Sequence, residues 1–421
     1  LMLGCGDAAE PPGEAPLRLM TYSLSPAFDD YMAALTASFE ATHPGREVEW
    51  IDFPADGYLD KLMLLHQSGE PPDVVNLTFD LGAQVVQQGV LEDIRPLLPP
   101  EVIGGYLPGI LASACETGGR VHGLPWYLSP VVLLHNRALM AEAGLDPDHP
   151  PATFDEQIAM SRQIHGRLPG RWGFFESLTE AGHLRDLLFQ QSVPLVTPGE
   201  PRRAAFATPA GAEVLALWVE LYQSGVIPRE SLQPTHVRGI ELFKTGRTAF
   251  LVTGAQFLRS VQEDAPDVYA QCGVARAPEM PCGLTAVDVM MLSVTDHGES
   301  AAAVERERGA AELAAFVTNA SNQLALCRRA VVFPSVTAAL EDPLFRESDG
   351  TLLGDARVVG ARTLETARVF REILPESGRL NQAMSRAVER ACLEGVAPAD
   401  ALAEAAAAWD AVFASLPSGA P

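Results

Sequence analysis

Apolar positions along this chain follow two alternating rhythms. Leu17-Arg18-Leu19-Met20-Thr21-Tyr22 repeats with a period of two and predicts a strand. Phe28 to Thr42 carries Tyr31, Leu35 and Phe39 at helical spacing, and His43-Pro44-Gly45 stops that helix. A strand over Glu47–Phe53 follows, then a helix over Tyr58–Gln67 with Leu59, Leu62, Met63 and His66 on one side, ended by Gly69. Pro72 to Leu77 reads as a buried strand and Leu81 to Gln88 as a helix stopped by Gly89. Strands and helices alternating over short connections predict a parallel sheet covered on both faces.

The rhythm changes over Gly123–Asn136. Val121 to Tyr127 reads as one strand and the apolar run Val131–Leu134 as a second, buried on both faces. Ser129 and Pro130 lie between them, and proline cannot donate to a central ladder, so pairing is expected to stop there. The expected path leaves one lobe, crosses, and enters a second. Beyond it, Arg137–Ala143 is a short helix closed by Gly144. Thr153 and Glu156 have the spacing of a capping box ahead of Ile158, Met160 and Ile164. Arg171–Phe175 is expected as a short aromatic strand. Thr208-Pro209 opens a helix running through Val214, Leu217, Trp218 and Leu221. Val237–Lys244 predicts a helix, Thr248–Val252 and Val287–Val294 predict strands, and 311–317 and 323–328 predict helices. Val331–Pro334 crosses again, and residues 363–416 are expected to be helical.

At 421 residues the chain exceeds one ordinary core, so two domains are expected. With 30 Lys+Arg against 54 Asp+Glu the net charge is −24, which argues against nucleic acid and against basic docking on anionic lipid. No apolar run reaches the roughly 18 residues of a membrane span. Leu1-Met2-Leu3-Gly4-Cys5 is apolar, then small, then Cys, ahead of a polar, Pro-rich stretch to Pro16. This resembles a bacterial lipobox, with Cys5 as the lipid-bearing residue. Five other cysteines remain. Cys272 and Cys282 flank a short loop and could bridge, while the rest read as buried thiols. GxSxG, HExxH, Walker and EF-hand motifs are absent, so no catalytic residue, metal site or cofactor is expected.

Several stretches resemble, in order and spacing, the extracellular solute-binding proteins that feed carbohydrate ABC importers. They are Pro72-Asp73-Val74-Val75, Gly123-Leu124-Pro125-Trp126, Leu134-His135-Asn136-Arg137, Gly144-Leu145, Pro151 to Glu156, Phe243 to Phe250, and Pro334. His135 departs from the tyrosine usual there, and Cys282-Gly283-Leu284-Thr285 departs from a Gly-Gly pair. The resemblance implies the α/β periplasmic binding protein-like fold of type II: two α/β lobes, three crossings and a ligand cleft. By analogy residues 1–16 are lipobox and tether, 17–128 plus 285–332 one lobe, and 129–284 plus 333–421 the other. It also implies a monomer in the bacterial cell envelope, membrane-bound only through its lipid, with a small carbohydrate and ABC permease subunits as partners.

A sugar presents apolar C–H faces and a rim of hydroxyls, so its site needs aromatic faces and polar partners. Trp126, Tyr127, Trp172 and Phe175 are the candidate platforms, while Trp50, Trp218 and Trp409 read as core. Polar candidates at strand ends are Tyr22, Ser23, Asn76, Thr78 and Asp80, since ligands bind outside the carboxyl ends of strands in open sheets. The analogy adds Ser129, Thr253, Gln256, Thr285 and Asp288, the last expected as a buried carboxylate. The competing readings are a carboxylate-pair glycosidase of the envelope, and a receptor of the same fold for a polyamine, metal chelate or phosphorylated polyol.

Overall fold

The computed structural model describes residues 15–199, 201–233, 235, 237–369 and 374–416. Cys5 and the tether through Glu14 lie outside them. The chain forms two compact units. Unit one holds the residues up to Leu128, Val289–Arg329 and Pro334–Ala339; unit two holds Ser129–Asp288, Ala330–Phe333 and the chain from Leu340. The second change of unit thus falls between Asp288 and Val289 rather than between residues 284 and 285.

The strands are β1 (Leu17–Tyr22), β2 (Val48–Phe53), β3 (Val74–Thr78), β4 (Glu116–Thr117), β5 (Arg120–Val121), β6 (Leu124–Asn136), β7 (Phe250–Gly254), β8 (Cys272–Arg276), β9 (Thr285–Val294), β10 (Phe333–Pro334) and β11 (Ala367–Arg368). In unit one β1 runs parallel to β2, with Leu17 opposite Val48, and parallel to β3, with Met20 opposite Val75. β9 then enters antiparallel, with Thr78 opposite Met290 and Val74 opposite Val294. Leu19, Met20, Val74, Val75 and Leu77 are buried, as strands covered on both faces require. The helices Asp29–Thr42 and Tyr58–Gln67 return the chain between these strands, burying Met32, Leu35, Phe39 and Leu62.

Two buried polar groups fasten unit one. The carboxamide of Gln323, fully buried, donates to Thr318 O at 2.7 Å and Ser335 Oγ at 2.8 Å, and accepts from Ser335 N at 2.7 Å. Ser335 Oγ donates in turn to Pro125 O at 2.5 Å. The Asp73 carboxylate, also fully buried, accepts from Arg18 N at 2.7 Å and Arg306 Nη2 at 2.7 Å, with His297 Nε2 at 3.1 Å. Burial pushes the Asp73 carboxyl upward, but the hydrogen bonds from His297, Arg18 and Arg306 prevail and hold it below the usual carboxylate range.

In unit two the second half of β6 pairs antiparallel with β7 and with β8, from Val131 opposite Gly254 and Val132 opposite Arg276. Thr153 caps the helix Phe154–Arg167 in a capping box with Glu156, and Thr208 caps Pro209–Gln223. One apolar core gathers Phe154, Leu188, Phe206, Trp218, Met384 and Trp409.

Three expectations are corrected. β6 is a single strand of 13 residues that runs through Pro130. Pairing to β7 starts only at Val131, so proline's missing N–H costs no bond of that ladder. Arg171–Phe175 forms no strand, only a bridge from Trp172 to Thr248. The C-terminal region is several helices, broken by β11 and by Gly395 in the left-handed region (φ 73°). Cys272 and Cys282 are both free thiols. No helix among the described residues is long and apolar enough to cross a membrane.

Candidate functional site

In unit one the parallel strands end at a polar group. Tyr22 closes β1, Asn76 lies midway along β3 and Thr78 closes it, Tyr127 lies on β6, and Met290 sits on β9 opposite Thr78. Tyr22 Oη donates to Met290 Sδ at 3.3 Å. Asn76 Nδ2 points at the same sulfur, at 3.7 Å, and donates to Met291 O at 3.4 Å. Asn76 is 1% exposed and its Oδ1 has no partner. A buried acceptor without a donor is costly, so this oxygen is poised for a hydrogen bond the protein does not supply.

Packing orients these side chains. The Tyr22 ring leans on Tyr58, centroids 4.9 Å apart, and Tyr58 Oη donates to Met20 O at 3.0 Å. Burial pushes the Tyr22 phenol up to about 12, so it stays a neutral donor at any ordinary pH. Burial, followed by the influence of Tyr22, raises the Tyr127 phenol too. The turn after β1 is held by Asp52, which accepts from Thr21 Oγ1 at 2.7 Å and from the Leu24 and Ser25 amides at 3.1 Å each. Ser23 sits in that turn at φ 54°, and its Oγ accepts from Ala55 N at 3.1 Å.

The other candidates of unit one separate by role. Thr78 caps the helix Phe79–Gln87, its Oγ1 accepting from Leu81 N at 3.3 Å, and Asp80 is exposed in that helix's first turn. Trp126 is corrected: it presents no open face. It is 1% exposed, with its ring edge-on to Tyr127 at 5.3 Å and its Nε1 unpartnered.

In unit two Ser129, Thr253 and Gln256 gather where β6 meets the carboxyl end of β7. The Gln256 side chain folds back over Gly254, leaving no room for a Cβ there, and its Oε1 is unpartnered. Trp172 is not part of this group. It bridges Thr248, before the start of β7, which an extended chain places about 20 Å from Gly254. The Arg247 guanidinium covers one face of its ring, 4.5 Å from the centroid. Phe175 packs on the helix Val237–Lys244, where a Cβ at Gly239 would meet its Cδ1 at 3.0 Å. Thr285 pairs with Ala367 at the start of β9. Asp288 is exposed instead of buried, because alternation along β9 turns it away from the buried Val287 and Val289.

Three features escaped the sequence reading. Met290 and Asp52 gave no motif signal. His183 lies between Glu176, 2.7 Å from its Nε2, and Asp186, 3.3 Å from its Nδ1. Burial favours its neutral form, but the two carboxylates overcome this and push the imidazole up to about 10, so it is a fixed cation. Elsewhere Glu92, Asp296 and Glu307 bring one carboxylate oxygen each within 4.8 Å of the others. Burial, and after it the charges of Glu92 and Asp296, raise the Glu307 carboxyl above its usual range. The strand-end groups offer donors, acceptors and ring surface.

Residues 23–324 match the profile of the bacterial extracellular solute-binding protein family. A candidate oligosaccharide periplasmic-binding protein from Synechococcus sp. MITs9220, solved in complex with zinc, is 34% identical, with a TM-score of 0.82 over 95% of this chain and 99% of that one. An uncharacterized lipoprotein encoded in the oleD 5′ region of Streptomyces antibioticus is 27% identical over 355 residues, 82% of this chain and 75% of the relative. A maltooligosaccharide ABC transporter solute-binding lipoprotein of Streptococcus pneumoniae is 23% identical over 299 residues, 67% of this chain and 66% of the relative.

The burial of Trp126 sets a prediction. Trp126→Ala should lower the stability of the unliganded protein by about 3–5 kcal/mol, measured by urea denaturation. A variant that unfolds at the parent's urea concentration would show instead that the ring is not a packing element.

Proposed function

The chain belongs to the bacterial extracellular solute-binding proteins, with the type II periplasmic-binding-protein fold, and from that premise we propose that it captures a carbohydrate for an ABC importer and performs no catalysis. The observation that carries the sugar reading is the group at the strand ends of unit one. Tyr22 Oη, Asn76 Nδ2 and the unpartnered Asn76 Oδ1 supply two donors and an acceptor beside the Tyr22 and Tyr127 rings. Such a mixture suits sugar hydroxyls and C–H faces. In support, relatives carry oligosaccharide and maltooligosaccharide descriptions. Within unit two, Ser129, Thr253, Gln256, Thr285 and Asp288 are proposed as ligand contacts of that unit. Trp172 and Phe175 are not carried forward as sugar platforms, because the first is covered by Arg247 and the second packs on Gly239.

The protein is exported to the cell envelope, as its family is. We further propose that Cys5 bears a lipid and that the protein works as a monomer beside its permease. Two relatives are described as lipoproteins.

A thermal-shift panel of maltose, maltotriose, trehalose, glycerol 3-phosphate and spermidine tests the ligand class. A cognate sugar at 100 times its dissociation constant should add about 2.7 kcal/mol of stability. Stabilisation by spermidine or glycerol 3-phosphate but by no sugar would replace the carbohydrate reading, and hydrolysis of a labelled oligosaccharide would replace the receptor reading.

For the anchor, protein expressed with its natural leader should partition into detergent, and Cys5→Ser should move it to the aqueous phase. Equal partitioning of the two would reject the lipid.

A further inference from the structure

The acceptor at the centre of the unit-one group is a thioether. Met290 Sδ receives Tyr22 Oη at 3.3 Å and faces Asn76 Nδ2 at 3.7 Å. Sulfur is a weak acceptor, whereas hydroxyl and amide oxygens are strong ones. Both donors come from other strands: Tyr22 from β1 and Asn76 from β3. Asn76 is 1% exposed, so its amide has little water to turn to. Met290 itself is partly exposed, unlike Met291 beside it, which is 3% exposed.

We propose that Met290 is a positioning residue whose sulfur holds the Tyr22 hydroxyl and the Asn76 amide in place until a sugar hydroxyl oxygen displaces it. The inference rests on the carbohydrate reading above. A stronger acceptor at this point, such as an amide oxygen, would orient the donors equally well but would not release them. An apolar side chain would remove the Tyr22 hydroxyl's partner and leave Asn76 Nδ2 only its 3.4 Å bond to Met291 O. The thioether lies between: it is large enough to fill the space, polarizable enough to attract both donors, and weak enough to give way. The neighbouring Asn76 Oδ1, buried and unpartnered, accepts from the same incoming hydroxyl or the next.

The test compares three forms of residue 290 by calorimetric titration with the sugar that stabilises most in the panel. Met290→Leu preserves volume and removes the acceptor that holds the two donors, and is expected to weaken binding only modestly, about 3-fold. Met290→Gln supplies a competing oxygen and is expected to weaken binding about 10-fold or more. The third form is made chemically. Hydrogen peroxide transfers one oxygen to Sδ: the sulfur lone pair forms the S–O bond, the peroxide O–O bond breaks and water leaves. The sulfoxide oxygen is a strong acceptor, so treated parent should behave like Met290→Gln, and treated Met290→Leu should keep the affinity of its untreated form. This arm holds even where Met290→Gln does not fold. Equal weakening in Leu and Gln variants, or parental affinity in both Met290→Gln and oxidised parent, would overturn the proposal.

A sugar-free readout separates this inference from the carbohydrate reading. The Asn76 side-chain NH2 resonances should shift in Met290→Gln and in oxidised parent, where an oxygen replaces the sulfur, whether or not any sugar binds. Resonances unmoved in both would also overturn it. A parent that binds no sugar in the panel but shows these shifts would refute the carbohydrate reading alone.

Discussion

One buried carboxamide holds together the parts of unit one that lie next to its exits. Gln323 joins Thr318 to Ser335, and Ser335 carries the link to the carbonyl of Pro125. Pro125 precedes the change of unit at Leu128, Gln323 precedes the one at Arg329, and Ser335 lies in the short return Pro334–Ala339. Three segments are therefore fixed to one another by a few hydrogen bonds among fully buried side chains. In that low dielectric each bond is strong and each lost partner is expensive, so the arrangement is nearly all-or-none. It fixes the start of β6, and with it the rings of Trp126 and Tyr127.

The polar group at the strand ends inherits this rigidity. β1, β3 and β9 are held by their ladders, Asp52 braces the turn beyond β1, and Tyr58 supports the ring of Tyr22. What remains adjustable is the hydrogen bonding itself. Tyr22 and Asn76 are directed at a sulfur, and Asn76 Oδ1 is directed at nothing in the protein. Rigid placement with unsaturated bonding is what a reversible binding site requires. Strong internal partners would have to be broken before a ligand could enter, and loosely held groups would have to be ordered when it did.

Much of this was legible in the sequence, for local reasons. The alternation of strand and helix before Gly89, the cap at Thr153, the proline opening at Pro209 and the core positions of Trp218 and Trp409 all depend on neighbours a few residues away. The polar ends of β1 and β3 were legible too, because a parallel sheet exposes the carboxyl ends of its strands. The misses share a different cause. Whether Pro130 breaks a strand depends on where β7 begins to pair, and whether Asp288 is buried depends on which face of β9 meets the core. Trp126 lies beside a change of unit, as its position suggested, but its ring turns inward. Met290 was invisible because its two donors lie 268 and 214 residues away. No spacing rule reaches that far, and methionine carries no functional expectation of its own.

We propose that the strand-end group of unit one holds the sugar. A crystal structure of the protein with the best-binding sugar of the panel tests it most directly. The expected result is a sugar hydroxyl oxygen within hydrogen-bonding distance, about 3 Å, of both Tyr22 Oη and Asn76 Nδ2, with Met290 Sδ withdrawn from them. A sugar bound elsewhere, with Tyr22 and Asn76 still directed at the sulfur, would contradict it.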